Sequence, residues 1–329
     1  MQLTLTNHSS YPRIGESPEY QLLRRTIVLW EKGEKTEADR SAAEDRMTQL
    51  ALSEQIHAGL NLLTDGQIRW YDPISHIAGK MSGIRSNGLL RFFDTNSYFR
   101  QPVVCGPIVW SEPLVVNDFL FAQAKSPGPV KPVLTGPYTL AKLSIHEDSQ
   151  AGRLGPLLEG YTAALAQEVG ALAEAGATVI QVDEPALLRH TGDFALFARS
   201  VAVLAAHKGH ARLALSFYFG DAAPLYQSLQ SLPVDILGFD FTYSPRLVEL
   251  IAAQGSDKTL ALGLVDGRNT RLEDPAVVAR QLEKISRKLD SRPVYLGPSC
   301  GLEHLPRDRA ELKLRHLTTI KNTFTGKAP

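Results

Sequence analysis

The chain has 329 residues, 43% hydrophobic and 21% charged, with 35 basic and 35 acidic side chains and a formal net charge of zero. That balance allows a large apolar core and offers no basic field for nucleic acid or an anionic membrane. The start "MQLTLTNHSSYPR" lacks a signal peptide's basic and apolar regions, no run is long enough to span a bilayer, and Cys105 and Cys300 make no disulfide framework, so a cytoplasmic protein is expected.

In chain order, short apolar or β-branched runs stop at polar or glycine-containing turns and give way to helical patterns. The runs are "LTLTNHSSYP" (3–12), "LNLLTDG" (60–66), "KPVLTGP" (131–137) and "ATVIQVDEP" (177–185). They continue with "ARLALSFYFGD" (211–221), "DILGFDF" (235–241), "TLALGLVDGR" (259–268) and "RPVYLGPSCG" (292–301). Between them, Ser17-Pro18, Ser244-Pro245 and Asp274-Pro275 read as helix starts, and Gly33, Gly176 and Gly255 as helix ends. Near-continuous apolar strands alternating with helices predict a parallel sheet covered on its outer face. Eight such units predict an α/β fold of the TIM-type (β/α)8 barrel class, with a doubly wound open sheet as the alternative. Residues 1–329 read as one barrel. The long stretch between the second and third strands predicts a helix, a hairpin and a helix, and places 85–125 as an insertion over the active-site mouth.

In such a barrel the C-terminal strand ends surround the site. The polar residues there are His8 and Ser10, Asp65 and Gln67, Thr135, Asp183 and Glu184, Ser216 and Tyr218, Asp240, Asp266 with Arg268 and Asn269, and Cys300. Carboxylates beside an arginine suit a zwitterion, because carboxylate binds an ammonium and guanidinium grips a carboxylate. Each residue also has a plainer reading. Asp183 suits a helix cap and Asp266 a turn closed on its own backbone. Asp240 suits a core pair with Arg268, and Cys300 a small buried hydrophobe. No His-x-Cys, HExxH or CxxC pre-assembles a zinc site, and no glycine-rich phosphate loop is present.

The stretches "YPRIGESPEYQLLRR", "FFDTNSYF", "KPVLTGPYTL", "VIQVDEPAL", "LPVDILGFDF", "GLVDGRN" and "PSCGLEHLP" resemble the cobalamin-independent methionine synthase family across nearly the whole chain. "PRIG", "FFDTN", "YFG" and "VDGRN" are similar to the N-terminal barrel of that two-barrel enzyme. The resemblance implies methyl transfer from a folate or corrinoid carrier to a thiol such as homocysteine. The family's catalytic zinc set, His-x-Cys, Glu and Cys, falls here on Ser216, Tyr218, Asp240 and Cys300, so zinc is conceivable only through Cys300 and an incomplete set, and the cofactor is left unknown. A second family carboxylate falls on Gln67.

Asp183, Asp240 and Cys300 are the expected catalytic residues. Ser10, Gln67, Glu184, Tyr218, Asp266, Arg268 and Asn269 are substrate-binding candidates, and Arg13 is an anion contact implied by the family's folate-tail segment. Expected partners are an amino-acid or pterin substrate and a separate methionine synthase catalytic barrel or methyl-carrier protein, with no nucleic acid or membrane. The alternative function is a non-catalytic substrate- or carrier-binding barrel working with a separate zinc-containing half.

Overall fold

Ten strands organise the computed structural model, which describes residues 2–148, 154–289 and 293–326. They are β1 (Gln2–Leu5), β2 (Ser82–Arg91), β3 (Tyr98–Val109), β4 (Val133–Thr135), β5 (Ile145–His146), β6 (Val179–Asp183), β7 (Arg212–Phe217), β8 (Ile236–Asp240), β9 (Thr259–Val265) and β10 (Pro293–Pro298). The predicted span 1–329 and the run 292–301 both begin outside the described residues.

Seven strands form one parallel sheet in the order β1-β10-β9-β8-β7-β6-β4. The run 60–66 supplies the eighth position through bridges alone, Thr6 with Leu62 and Leu63 with Val130. Those bridges join the two edges, so the sheet closes into the (β/α)8 barrel and the open-sheet alternative falls away. The period of two explains how one strand serves two environments. Ile180, Val182, Leu213, Leu215, Leu237 and Phe239 join the main apolar cluster between strands and helices. Val179, Ala214, Ile236 and Leu62 form a separate buried cluster with Ala261 and Tyr295 as the barrel floor. Each buried aliphatic side chain contributes roughly 1.5–3 kcal/mol relative to exposure.

The helix ends lie close to their sequence signals, with two shifts. Asp274 caps the helix Pro275–Ser286 by accepting from the Ala276 N–H at 2.8 Å. Gly255 closes Leu247–Gln254 at φ 74°, a conformation that side-chain-bearing residues avoid. Ser17-Pro18 opens turns rather than helix, and the helix begins at Leu22; Ser244-Pro245 likewise opens a turn, with the helix starting at Leu247. Among the described residues no helix is long and apolar enough to cross a membrane.

The insertion contains the predicted parts, a short helix Ser75–Ala78, the antiparallel pair β2–β3 and a helix Val116–Ala124. The two-residue strand β5 pairs in parallel with β3, a third strand that the sequence pattern did not indicate. At the hairpin tip, Asp94 accepts from the Tyr243 hydroxyl and lies 3.5 Å from Arg268 and 3.6 Å from Arg189. Phe92 and Phe93 lie within van der Waals range of the Phe219 ring, with centroids 6.1 and 5.9 Å away. All four contact residues follow the C-terminal ends of β6, β7, β8 and β9.

Candidate active site

Asp183 is the last residue of β6, on the strand face it shares with Val179 and Gln181. Its Oδ1 accepts from Gln181 Nε2 at 2.8 Å, and the Tyr218 hydroxyl lies 3.4 Å from its Oδ2. Behind it, Lys131 Nζ donates to Gln181 Oε1 at 2.6 Å. Burial pushes the Asp183 carboxyl up to about 7, opposed by Gln181 and Lys131. Burial also pushes Lys131 down to about 7, opposed by Asp183.

His8, after β1, holds Ser216 Oγ through Nε2 and Ser9 Oγ through Nδ1, each at 2.8 Å. Burial, helped by Lys131, pushes its imidazole down to about 3, so it stays neutral at physiological pH. Beneath Asp183 the barrel interior keeps a cavity of about 30 Å³, lined by Lys131, Gln181, His8, Ser216 and the side-chain-free Gly238, Gly263 and Gly297. Its walls also include Ala214, Ile236, Phe239 and Leu262, so the space is largely apolar with a few polar groups, and its size is that of roughly one or two waters.

On the opposite rim, Ser10 donates to Glu303 Oε2, and Glu303 Oε1 lies 3.2 Å from His304 Nε2. His304 Nδ1 in turn sits 3.2 Å from Ser97 Oγ in the insertion. A Cβ at Gly301 would overlap both the Ser10 hydroxyl and the Glu303 carboxylate, which is why the chain is bare there. Gln67 adopts φ 51°, and its side-chain amide has no hydrogen-bond partner among the described residues. Arg13 donates from Nε to the Ile68 carbonyl at 2.8 Å and packs over the Tyr71 ring.

Several expected site residues have other work. Glu184 is fully buried and accepts from the N–H groups of Tyr138 and Thr139 and from the Thr139 hydroxyl, so it caps the helix Pro137–Leu143 and is not free for substrate. Gly136 leaves the space for that carboxylate. Asp240 accepts from the backbone N–H groups of Thr242, Tyr243 and Phe219, at 2.8, 3.3 and 3.4 Å. It shapes the turn after β8. Cys300 is buried, and burial followed by the charges of Glu303 and Asp240 pushes its thiol well up, which favours the neutral thiol over the thiolate.

Asp266 accepts from the Arg268 N–H at 2.8 Å and from the Asn269 side chain, while Asn269 Oδ1 accepts from the Arg271 N–H. That loop is closed on itself. Arg268 reaches Tyr243 and Asp94 and stacks over Phe219, away from both Asp183 and Asp240.

Lys131, Gln181, Glu303 and His304 were missed. The available signals were a lysine opening a buried strand, a glutamine two residues before Asp183 on the same face, and a Glu-His pair just past Cys300.

The family's zinc does not fit these side chains. At its positions stand the Ser216 hydroxyl, held by His8, and the Tyr218 phenol, whose burial favours the protonated form. Asp240 is occupied by three amides, and the Cys300 thiol points its weak hydrogen bond at the Gly301 carbonyl. Among the described residues no group of three or more His, Cys, Asp or Glu side chains could hold a metal ion.

The architecture is that of a (β/α)8 barrel with a polar site at its C-terminal mouth. Residues 10–322 match the family described as "Cobalamin-independent synthase, Catalytic domain". The chain belongs to the cobalamin-independent methionine synthase family. The methionine synthase of Saccharolobus solfataricus is 32% identical over 304 residues, covering 92% of this chain and 90% of the relative. That of Sulfurisphaera tokodaii is 30% identical over 317 residues, covering 94% and 90%. In fold, the chain is similar to a B12-independent methionine synthase from Shewanella sp. W3-18-1 solved in complex with selenomethionine, with a TM-score of 0.80, 19% identity, and 99% and 98% of the two chains covered. A putative vitamin-B12 independent methionine synthase from Listeria monocytogenes gives a TM-score of 0.76 at 17% identity, covering 98% of each chain. The motifs "PRIG", "FFDTN", "YFG" and "VDGRN" lean towards the family's N-terminal barrel, whereas the matching family description is that of its catalytic domain.

Proposed function

We propose that this barrel binds an amino acid at its C-terminal mouth through Asp183 and transfers a methyl group from a folate or corrinoid carrier to a thiol such as homocysteine. The observation that carries the reading is Asp183 itself. It is a buried carboxylate with one oxygen held by Gln181, the other only loosely approached by Tyr218, and no direct ion pair to a lysine or arginine among the described residues. A ligand ammonium supplies the donors and the charge that this oxygen lacks. The Shewanella relative was solved with an amino acid, selenomethionine, which supports the same ligand class here. Gln67, Ser10 and Tyr218 are the other contacts we assign to the ligand, Arg13 an anion contact, and 85–125 the cover of the mouth. The setting is cytoplasmic.

A second reading is favoured by Ser216 and Tyr218, which replace the metal-binding pair. In it the barrel binds substrate or carrier and a separate zinc-containing half, or a methyl-carrier protein, completes the reaction.

The test is methionine formation by the purified chain from homocysteine and methyl-folate, read by mass spectrometry, alongside zinc content. Methionine formation without stoichiometric zinc supports transfer by this chain. No methionine, with tight binding of L-methionine retained, favours the second reading. No binding of L-methionine at all sinks the assignment of Asp183.

A further inference from the structure

The acceptor side of Asp183 is set by a residue that never reaches the mouth. Lys131 is buried, and its ammonium has a single hydrogen-bond partner among the described residues, Gln181 Oε1. Nζ donates to Gln181 Oε1 at 2.6 Å, and in its charged form the lysine can only donate, so the amide of Gln181 turns its oxygen towards Lys131. Its NH₂ then faces the other way, and Asp183 Oδ1 receives it at 2.8 Å. With Oδ1 fixed, the rotamer of Asp183 is fixed, and Oδ2 is the oxygen left beside the Tyr218 hydroxyl at the mouth.

We propose that Lys131 is a positioning residue that acts through the Gln181 amide to orient Asp183 towards the ammonium of an amino-acid ligand. This rests on the reading of Asp183 as the ligand's amino-group contact. Position supports it. Lys131 and Gln181 both line the interior cavity below the site, where no direct contact with a ligand at the mouth is needed for either to act. The other charged or titratable groups around Asp183 do not set this polarity. Glu303, beyond β10, and the adjacent Glu184 are carboxylates that repel it, Tyr218 touches the other oxygen, and His8 is neutral and turned to Ser216. Among the described residues Lys131 alone places an amine behind the Gln181 carbonyl. The side chain thus converts a buried charge, costly with one acceptor, into the orientation of a carboxylate two hydrogen bonds away.

Two measurements on the full chain test this. The first is a ligand-free double-mutant cycle of Lys131→Met and Asp183→Asn by urea unfolding. The linkage predicts non-additive effects, and additive ones would overturn it. The second is calorimetric titration of wild type and Lys131→Met with L-methionine and with 4-(methylthio)butanoate, the same molecule without its amino group.

We expect Lys131→Met to weaken L-methionine by about tenfold or more and to leave the deaminated compound within about twofold, with Gln181→Leu reproducing the selectivity. Equal weakening of both compounds, or of neither, would show Lys131 to be a structural residue and overturn the proposal. If wild type binds no L-methionine, the reading of Asp183 has failed, and the unfolding cycle alone decides whether Lys131 and Asp183 are linked.

Discussion

Asp183 and Asp240 end neighbouring parts of the same barrel in the same way, as the final aspartate of a five-residue buried strand. Their surroundings diverge. Three backbone amides converge on Asp240, while Asp183 takes one side-chain amide and a distant phenol. The rim at β8 and β9 is therefore satisfied by its own turns, and the rim at β6, β7 and β10 keeps unspent polar groups. A strand-end aspartate is assigned to structure or to ligand by how many backbone donors reach it, not by its place in the fold.

The sharpest way to break the comparison is Asp240→Ala. It strands the buried Phe219 N–H and two partly buried ones, of Thr242 and Tyr243, and should cost about 2–4 kcal/mol by urea unfolding. A variant as stable as wild type would show that the turn holds without the carboxylate. Asp183→Asn should do the opposite, costing no stability near neutral pH while weakening L-methionine about 100-fold, equivalent to about 2.7 kcal/mol. Loss of stability with binding intact would make the two aspartates alike.

The pH dependence of stability sharpens the same point. Asp183 ionises at about 7 when folded against 3.8 ordinarily. Between those values the unfolded chain has released a proton that the folded chain keeps, so this group's contribution falls as pH rises from about 4 to 7, then stays flat. Lys131 runs the other way. With its folded value at about 7 against 10.5, the unfolded chain binds the extra proton, and its contribution rises from about pH 7 to 10.5. A minimum near pH 7 is expected in the difference between wild type and a Lys131→Met, Asp183→Asn double variant. Unfolding across pH 4 to 10 checks it, and a monotonic difference would refute the pairing.

Smaller effects are expected away from these two residues. Gly301→Ala forces a methyl between Ser10 and Glu303 and should cost about 1–3 kcal/mol of stability. Asp94→Asn cuts exposed ion pairs at the hairpin tip and should change unfolding by less than about 1 kcal/mol. A clear change in L-methionine affinity in that variant would add the insertion to the working rim.

The barrel was legible because its signals are local. Buried strands read as apolar runs, and Asp274-Pro275 and Gly255 announce their helix ends through dihedral and hydrogen-bonding preferences. The site was only partly legible because hydrogen-bond destinations are not local. Nothing around Glu184 in sequence says that residues 138 and 139 will occupy it, and nothing near Asp183 points 52 residues back to Lys131. Asp266 is the instructive middle case. Its turn chemistry was visible in "VDGRN", and the structure keeps that reading over a ligand role.

The closure of the barrel has a consequence for its opening. Where the other strands pair along a ladder, the run 60–66 touches its neighbours through single bridges. Backbone bonds from Asn61 and Leu62 to the Leu5 carbonyl, from Leu63 to Pro129 and from Lys131 to Leu63 hold it, and side chains add further stitches. Asn61 Oδ1 accepts from the Leu5 N–H, Gln55 brackets Thr64 by both its N–H and its carbonyl, and Asn7 reaches the Thr64 hydroxyl. A seam held by a few backbone bonds and by side chains, not by a continuous ladder, is where amide protons should trade with solvent first, ahead of those in β6 to β9. Opened there, the cylinder has β1 at one edge and β4 at the other, and the strand farthest from both is β8, which carries Asp240.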